Sequence, residues 1–183
     1  MDIQLLKHSI ESYLADPTED ANIILRFQSI LQQSPECFYR ALFSPGHFTA
    51  SALLIHADGK RVLLNHHHSL NKWLCFGGHA DGNPDMHEVA HRELVEESGI
   101  IAVSPVAETI FDLDIHPIPE NLKKGEPEHF HYDVRYLFMT NVEDFLCSEE
   151  SQDLRWCNFE EAITLAGSSG MHRLLQKWHR SYS

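Results

Sequence analysis

Residues 77–100, GGHADGNPDMHEVAHRELVEESGI, decide the fold. Two glycines lead into a turn-rich stretch, and a helix follows that ends in Arg92, Glu93, Glu96 and Glu97 before Gly99 stops it. Helix positions i, i+3 and i+4 share one face, so Glu93, Glu96 and Glu97 converge on one patch. Met86, Val89 and Ala90 occupy the same face one and two turns earlier, which predicts burial of its N-terminal half. Converging carboxylates beside a buried stripe repel one another unless a cation sits among them. An all-oxygen donor set favours a hard divalent ion, Mg²⁺ or Mn²⁺, over zinc. Asp85-x-x-Glu88 reads as a capping box that starts the helix.

A competing pattern lies inside the stretch. His87-Glu88-Val89-Ala90-His91 spells H-E-x-x-H, a zinc protease signature. The chain holds 14 histidines, so an accidental match is not surprising. Both rings point away from Glu93 around the helix.

The stretch resembles the box of the Nudix hydrolases, G-x5-E-x7-R-E-U-x-E-E-x-G-U, with U a bulky aliphatic residue. Gly78, Arg92, Glu93, Leu94, Glu96, Glu97, Gly99 and Ile100 fall in place. A chance match this good is of order ~10⁻⁸ per starting position. Pro84 departs, standing where the family has its early glutamate, with Asp85 one residue later. The resemblance implies an α/β/α sandwich with a mixed sheet. It implies divalent metal, Mg²⁺ or Mn²⁺, held by the Gly77 carbonyl, Glu93, Glu96 and Glu97. Arg92 would hold a carboxylate in place, and Glu93 or Glu97 would serve as base. Many members use a further acid outside the box, for which Glu149, Glu150 and Asp153 are the candidates here. The implied activity is hydrolysis of a phosphoanhydride in a nucleoside diphosphate linked to another group. The alternatives are an isoprenoid-diphosphate isomerase, which would want a reactive cysteine such as Cys75, and a non-catalytic nucleotide-sensing module.

The rest of the chain frames this box. A length of 183 residues fits one domain with an appendage. The net charge of −13 argues against non-specific nucleic-acid binding. The substrate is expected to be a small nucleotide-type molecule. Four cysteines without paired spacing read as buried thiols in a reducing, cytoplasmic compartment. No apolar run is long enough for a signal peptide or membrane span. Apolar residues at helical spacing predict two helices in an N-terminal extension, residues 1–45, with Asp16 to Glu19 capping the second. The extension would pack on the main domain, residues 46–183, or build a homodimer interface. Short strands follow from Thr49, with Asp58-Gly59 as a hairpin turn. A helix over 159–165 and a last amphipathic helix close the chain.

Two polar sets remain. Asp112, Asp114 and His116 alternate with apolar residues, as do His129, His131 and Asp133. Period two puts each set on one face of a strand. If the strands are neighbours, these faces line a concave wall that serves substrate or a second metal. The alternative is a solvated sheet face. Imidazoles beside carboxylates would titrate near neutral pH. Lys72 is a candidate for meeting a phosphate and Trp73 for stacking on a base, although core packing is the commoner use of such a tryptophan.

Overall fold

The structure is a computed structural model that describes residues 3–15, 17, 19–149 and 151–182. Asp16 and Thr18 of the expected cap, and Glu150, lie outside the described residues.

The chain begins with two helices, α1 (Ile3–Glu11) and α2 (Ile23–Gln33), and a 3₁₀ turn at Pro35–Phe38. Eight strands follow: β1 (His47–His56), β2 (Val62–His67), β3 (Lys72–Leu74), β4 (Phe76–His79), β5 (Ser104–Pro105), β6 (Asp112–Ile118), β7 (His129–Thr140) and β8 (Ser151–Cys157). Helix α3 (Met86–Ser98) lies between β4 and β5, and α4 (Phe159–Leu165) and α5 (Ser169–Tyr182) end the chain.

The strands form one mixed sheet in the order β3-β2-β1-β7-β5, with β4 also on β1, β6 on β7 and β8 on β2. Its centre is the parallel pair β1 and β7, in register from His47 opposite His131 to His56 opposite Thr140. The fold is an α/β/α sandwich. One face carries Phe48, Ala50, Leu54, Phe76 and Tyr132, covered by α1, α2 and the Met86, Val89, Ala90 and Leu94 stripe of α3. The other carries Leu53, Ile55, Leu64 and Leu137, covered by Leu174, Leu175 and Trp178 of α5. Each face follows from period-two alternation along the strands meeting the 3.6-residue stripe of a helix.

The N-terminal helices do not form a core of their own. Leu6, Ile10 and Phe27 are wholly buried in the first cluster. The Phe27 ring meets Phe48 and Tyr132 edge-on, with centroids 5.6 and 5.4 Å away. Lys177 of α5 donates to the Tyr13 hydroxyl at 2.7 Å and ties the extension to the opposite layer.

Local chemistry sets the limits of α3. Asp85 caps it by accepting from the Glu88 N–H at 3.1 Å. The reciprocal half of the expected box goes elsewhere, because the Glu88 carboxylate accepts from the Asn83 amide at 3.2 Å. Gly99 ends the helix at φ 69°, a left-handed conformation that costs glycine least. The N-terminal caps and turns of the box are thus satisfied without a glutamate at position 84.

Candidate active site and the opposite sheet face

β4 carries both sides of the site. Alternation places Phe76 and Gly78 toward α3, and Gly77 and His79 toward the other face. A Cβ on Gly78 would lie 2.5 Å from Glu93 Cδ, so glycine is required for the Glu93 carboxylate to reach the sheet. Arg92 donates to Glu93 Oε1 at 2.6 Å and to the His79 carbonyl at 3.2 Å, clamping the helix to the strand. One turn on, Glu97 is buried and accepts from the Asn65 amide of β2 at 2.8 Å. Glu96 is exposed. The side chain of Glu93 keeps 17% exposure, so the patch runs from buried Glu97 through Glu93 to solvent. Of the acids outside the box, Glu149 and Asp153 are exposed, and Asp153 lies 3.9 Å from Arg155.

The H-E-x-x-H histidines serve the core. The His87 ring packs against Tyr136 and Phe138 at 5.0 Å from each, and His91 against Phe138 at 5.8 Å. Burial lowers the His87 pKa. Trp73 is half-buried and stacks on His66 at 4.9 Å, with the Arg155 guanidinium 5.4 Å from its ring. Lys72 is exposed at the sheet edge.

The Asp/His strands are neighbours, as the concave-wall reading required. β6 and β7 pair antiparallel, with Asp112 opposite Arg135, Asp114 opposite Asp133 and His116 opposite His131. The solvated-face alternative is overturned: Asp112, Asp114, His129 and Asp133 are buried. The aspartates, however, are not free to meet a ligand. Arg135 donates through Nε to Asp133 at 2.7 Å, through Nη2 to Asp114 at 2.9 Å and through Nη1 to Asp112 at 3.2 Å. Arg173 of α5 donates through Nη2 to Asp112 and Asp114, both at 2.9 Å. Thr49 and Ser51 donate to Asp133 from β1. Burial by itself would raise the Asp114 pKa. Arg135, His116 and Arg173 outweigh it and hold the carboxyl well below the usual range. Burial likewise opposes the charge on Arg135, and the three aspartates override it.

Beyond this ionic layer, toward the start of β1, the face becomes imidazole. Ring centroids of His47, His79, His116 and His129 lie 4.8, 5.2, 5.5 and 5.2 Å from that of His131. Burial pushes His131 down to about 2 and His79 down to about 4, with neighbouring cationic groups adding to it. For His131 the expected titration near neutrality is therefore corrected: desolvation outweighs the carboxylates, which already belong to arginines. Arg135, Arg173, His47 and His79 were missed in the sequence. Arg135 lies in phase with Asp133 at the period of two, and that signal was readable. Arg173 lies on a helix some 60 residues from Asp112, and nothing local points to it.

Of the cysteines, Cys37 and Cys157 are buried as expected, whereas Cys147 is exposed. Burial pushes the Cys75 thiol up to about 12, which is opposite to what an isomerase cysteine needs.

The family model for the NUDIX domain matches residues 46–178. The chain belongs to the Nudix family. It is 32% identical over 117 residues to the asymmetrical bis(5'-nucleosyl)-tetraphosphatase of Caenorhabditis elegans, covering 64% of this chain and 80% of that protein. A C. elegans Ap4A hydrolase binary complex matches its fold with a TM-score of 0.57 at 22% identity, over 73% of this chain and 96% of that one. The Escherichia coli dihydroneopterin triphosphate pyrophosphohydrolase matches with 0.58 at 15% identity, over 71% and 92%. This chain is a Nudix-type pyrophosphohydrolase, and Nudix enzymes generally use divalent metals. No helix among the described residues is long and apolar enough to cross a membrane.

Proposed function

We propose that this Nudix protein hydrolyses a phosphoanhydride in a nucleoside diphosphate linked to another moiety, with Mg²⁺ or Mn²⁺ bound at the box. The carrying observation is the pair Glu93 and Glu97, one turn apart, set against Gly78 and Asn65. The donor set fits the ion: the offered groups are oxygens, and one carboxylate is buried where a cation offsets the cost of its charge. The Gly77 carbonyl, Glu93, Glu96 and Glu97 would hold the metal. When bound, such ions neutralise the pyrophosphate oxygens and lower the pKa of the attacking water. Glu93 or Glu97 would take a proton from that water. Arg92 orients Glu93 and fixes the His79 backbone, so it positions the site rather than touching substrate. The relative named as a bis(5'-nucleosyl)-tetraphosphatase favours dinucleoside polyphosphates as the first substrates to try.

The test is a panel of dinucleoside polyphosphates, ADP-ribose, NADH, sugar nucleotides and deoxynucleoside triphosphates, read by phosphate-containing products. Turnover is expected with Mg²⁺ or Mn²⁺ on a diphosphate-linked substrate. Full turnover in excess chelator sinks the metal assignment, and turnover of nucleoside triphosphates alone sinks the substrate class.

A further inference from the structure

We propose that His47, His79 and His131 form a second metal site, for a late first-row divalent ion such as Zn²⁺, on the sheet face opposite the box helix. The three residues offer nitrogen atoms that all lie within 4.8 Å of one another. In a tetrahedral zinc site with bonds of about 2.0–2.1 Å, ligand nitrogens are about 3.3 Å apart, so the widest nitrogen pair needs to close by up to roughly 1.5 Å.

Hydrogen bonding has prepared the edge of the His47 ring. The His47 Nδ1 faces the Leu42 carbonyl at 3.1 Å. A carbonyl only accepts, so Nδ1 carries the proton and Nε2 keeps its lone pair. That Nε2 is buried without a partner, on a residue 1% exposed. A buried nitrogen of this kind lacks the bond that buried polar groups normally make. His129 repeats the arrangement, with Nδ1 2.7 Å from the Pro127 carbonyl, and His116 does so with Nδ1 3.0 Å from Asp114 Oδ2. Metal-bound histidines characteristically donate their other N–H to a carbonyl or carboxylate, which fixes the ring and its tautomer. His129 and His116 therefore stand beside the three as a fourth ligand or as supports. His79 differs, because its Nδ1 faces the exposed Arg40 guanidinium at 3.1 Å. Arg40 is the contact that the ion displaces. The neutral nitrogen donors select Zn²⁺, Cu²⁺ or Ni²⁺ over Mg²⁺, so the two sites discriminate by chemistry. They meet at β4, where Arg92 grips the His79 carbonyl and Glu93 together.

The test is calorimetric titration of chelator-stripped protein with ZnCl₂ in excess Mg²⁺, together with Co²⁺ substitution read by visible absorption. One Zn²⁺ per chain is expected with micromolar or tighter affinity, and a nitrogen-rich Co²⁺ spectrum. Affinity should fall at least tenfold in His47→Ala and in His131→Ala, persist in Glu93→Gln, and hold or rise in Arg40→Ala. Zinc K-edge absorption on the wild type replaces the variants if they do not fold: three or more imidazole ligands support the site, and an oxygen-only shell overturns it. Absence of stoichiometric binding by folded wild type overturns the proposal, as does binding unchanged in both histidine variants. Pyrophosphate binding that His131→Ala abolishes, with no zinc binding, would also overturn it and make the cluster a phosphate cradle.

Discussion

Two acid-rich regions flank β4, and they use their carboxylates in opposite ways. On α3, Glu93 accepts from Arg92 and the buried Glu97 accepts from the neutral Asn65 amide. On β6 and β7, three aspartates surround the buried Arg135, and Arg173 adds a second cation. The first region sets one arginine beside three glutamates of a single helix, and it is the one proposed to take a further cation from solution. The second has its cations built in. Acidic residues at a site-like spacing therefore say little about function until the source of the compensating charge is known. The histidines next to the aspartates behave differently again, since burial keeps His79 and His131 uncharged and leaves their nitrogens as donors.

Replacing Arg135 tests the contrast most severely. Arg135→Met leaves Asp112, Asp114 and Asp133 buried without their shared cation, at a cost of about 3–5 kcal/mol. Urea unfolding should show this as a large drop in midpoint, or as failure to fold. A midpoint close to wild type would mean that the aspartates are not held by Arg135. Glu97→Gln makes the converse test. The amide can still meet Asn65, so stability should hold, while turnover on the best panel substrate falls by roughly 10²-fold or more. Equal loss of stability and activity would make Glu97 a structural residue like the aspartates.

Acid sensitivity separates the imidazole cluster from the ionic layer. The folded pKa values of His131 and His79 lie below the ordinary value of about 6.5. Their contribution to stability is complete above pH ~6.5 and is lost as pH falls, by up to about 1.4 kcal/mol per pH unit per group. Urea midpoints of metal-free protein should fall between pH 7 and pH 5, and less steeply in His131→Phe. A flat profile would show that the rings admit protons. The smallest effect belongs to Glu88→Gln, whose carboxylate accepts from the Asn83 amide at the exposed helix start. It should leave turnover within about twofold and stability within about 0.5 kcal/mol. A loss comparable to that of Glu97→Gln would return the H-E-x-x-H pattern to consideration.

The box was legible because its information is local. Helical spacing alone brings Glu93 and Glu97 to one face, Asp85 and Gly99 bound the helix, and Gly78 sits where the carboxylate arrives. The strands and the terminal helices were legible for the same reason, as periods of two and 3.6 in single segments. β6 and β7 could be paired from sequence only as a conjecture. The burial of their polar faces depended on α5, whose Arg173 reaches Asp112 and Asp114.

By itself the sequence determined the family, the sandwich and the place of the box, since each is written in contiguous residues whose periodicity fixes their faces. Tertiary structure alone decided that the Asp/His strands divide into an ionic layer and an imidazole cluster. Their partners come from four separate segments: His47 from β1, His79 from β4, His131 and Arg135 from β7, and Arg173 from α5. The charge state and ligand capacity of such groups depend on what desolvates and neutralises them, and those contacts exist only once the sheet has closed under its helices.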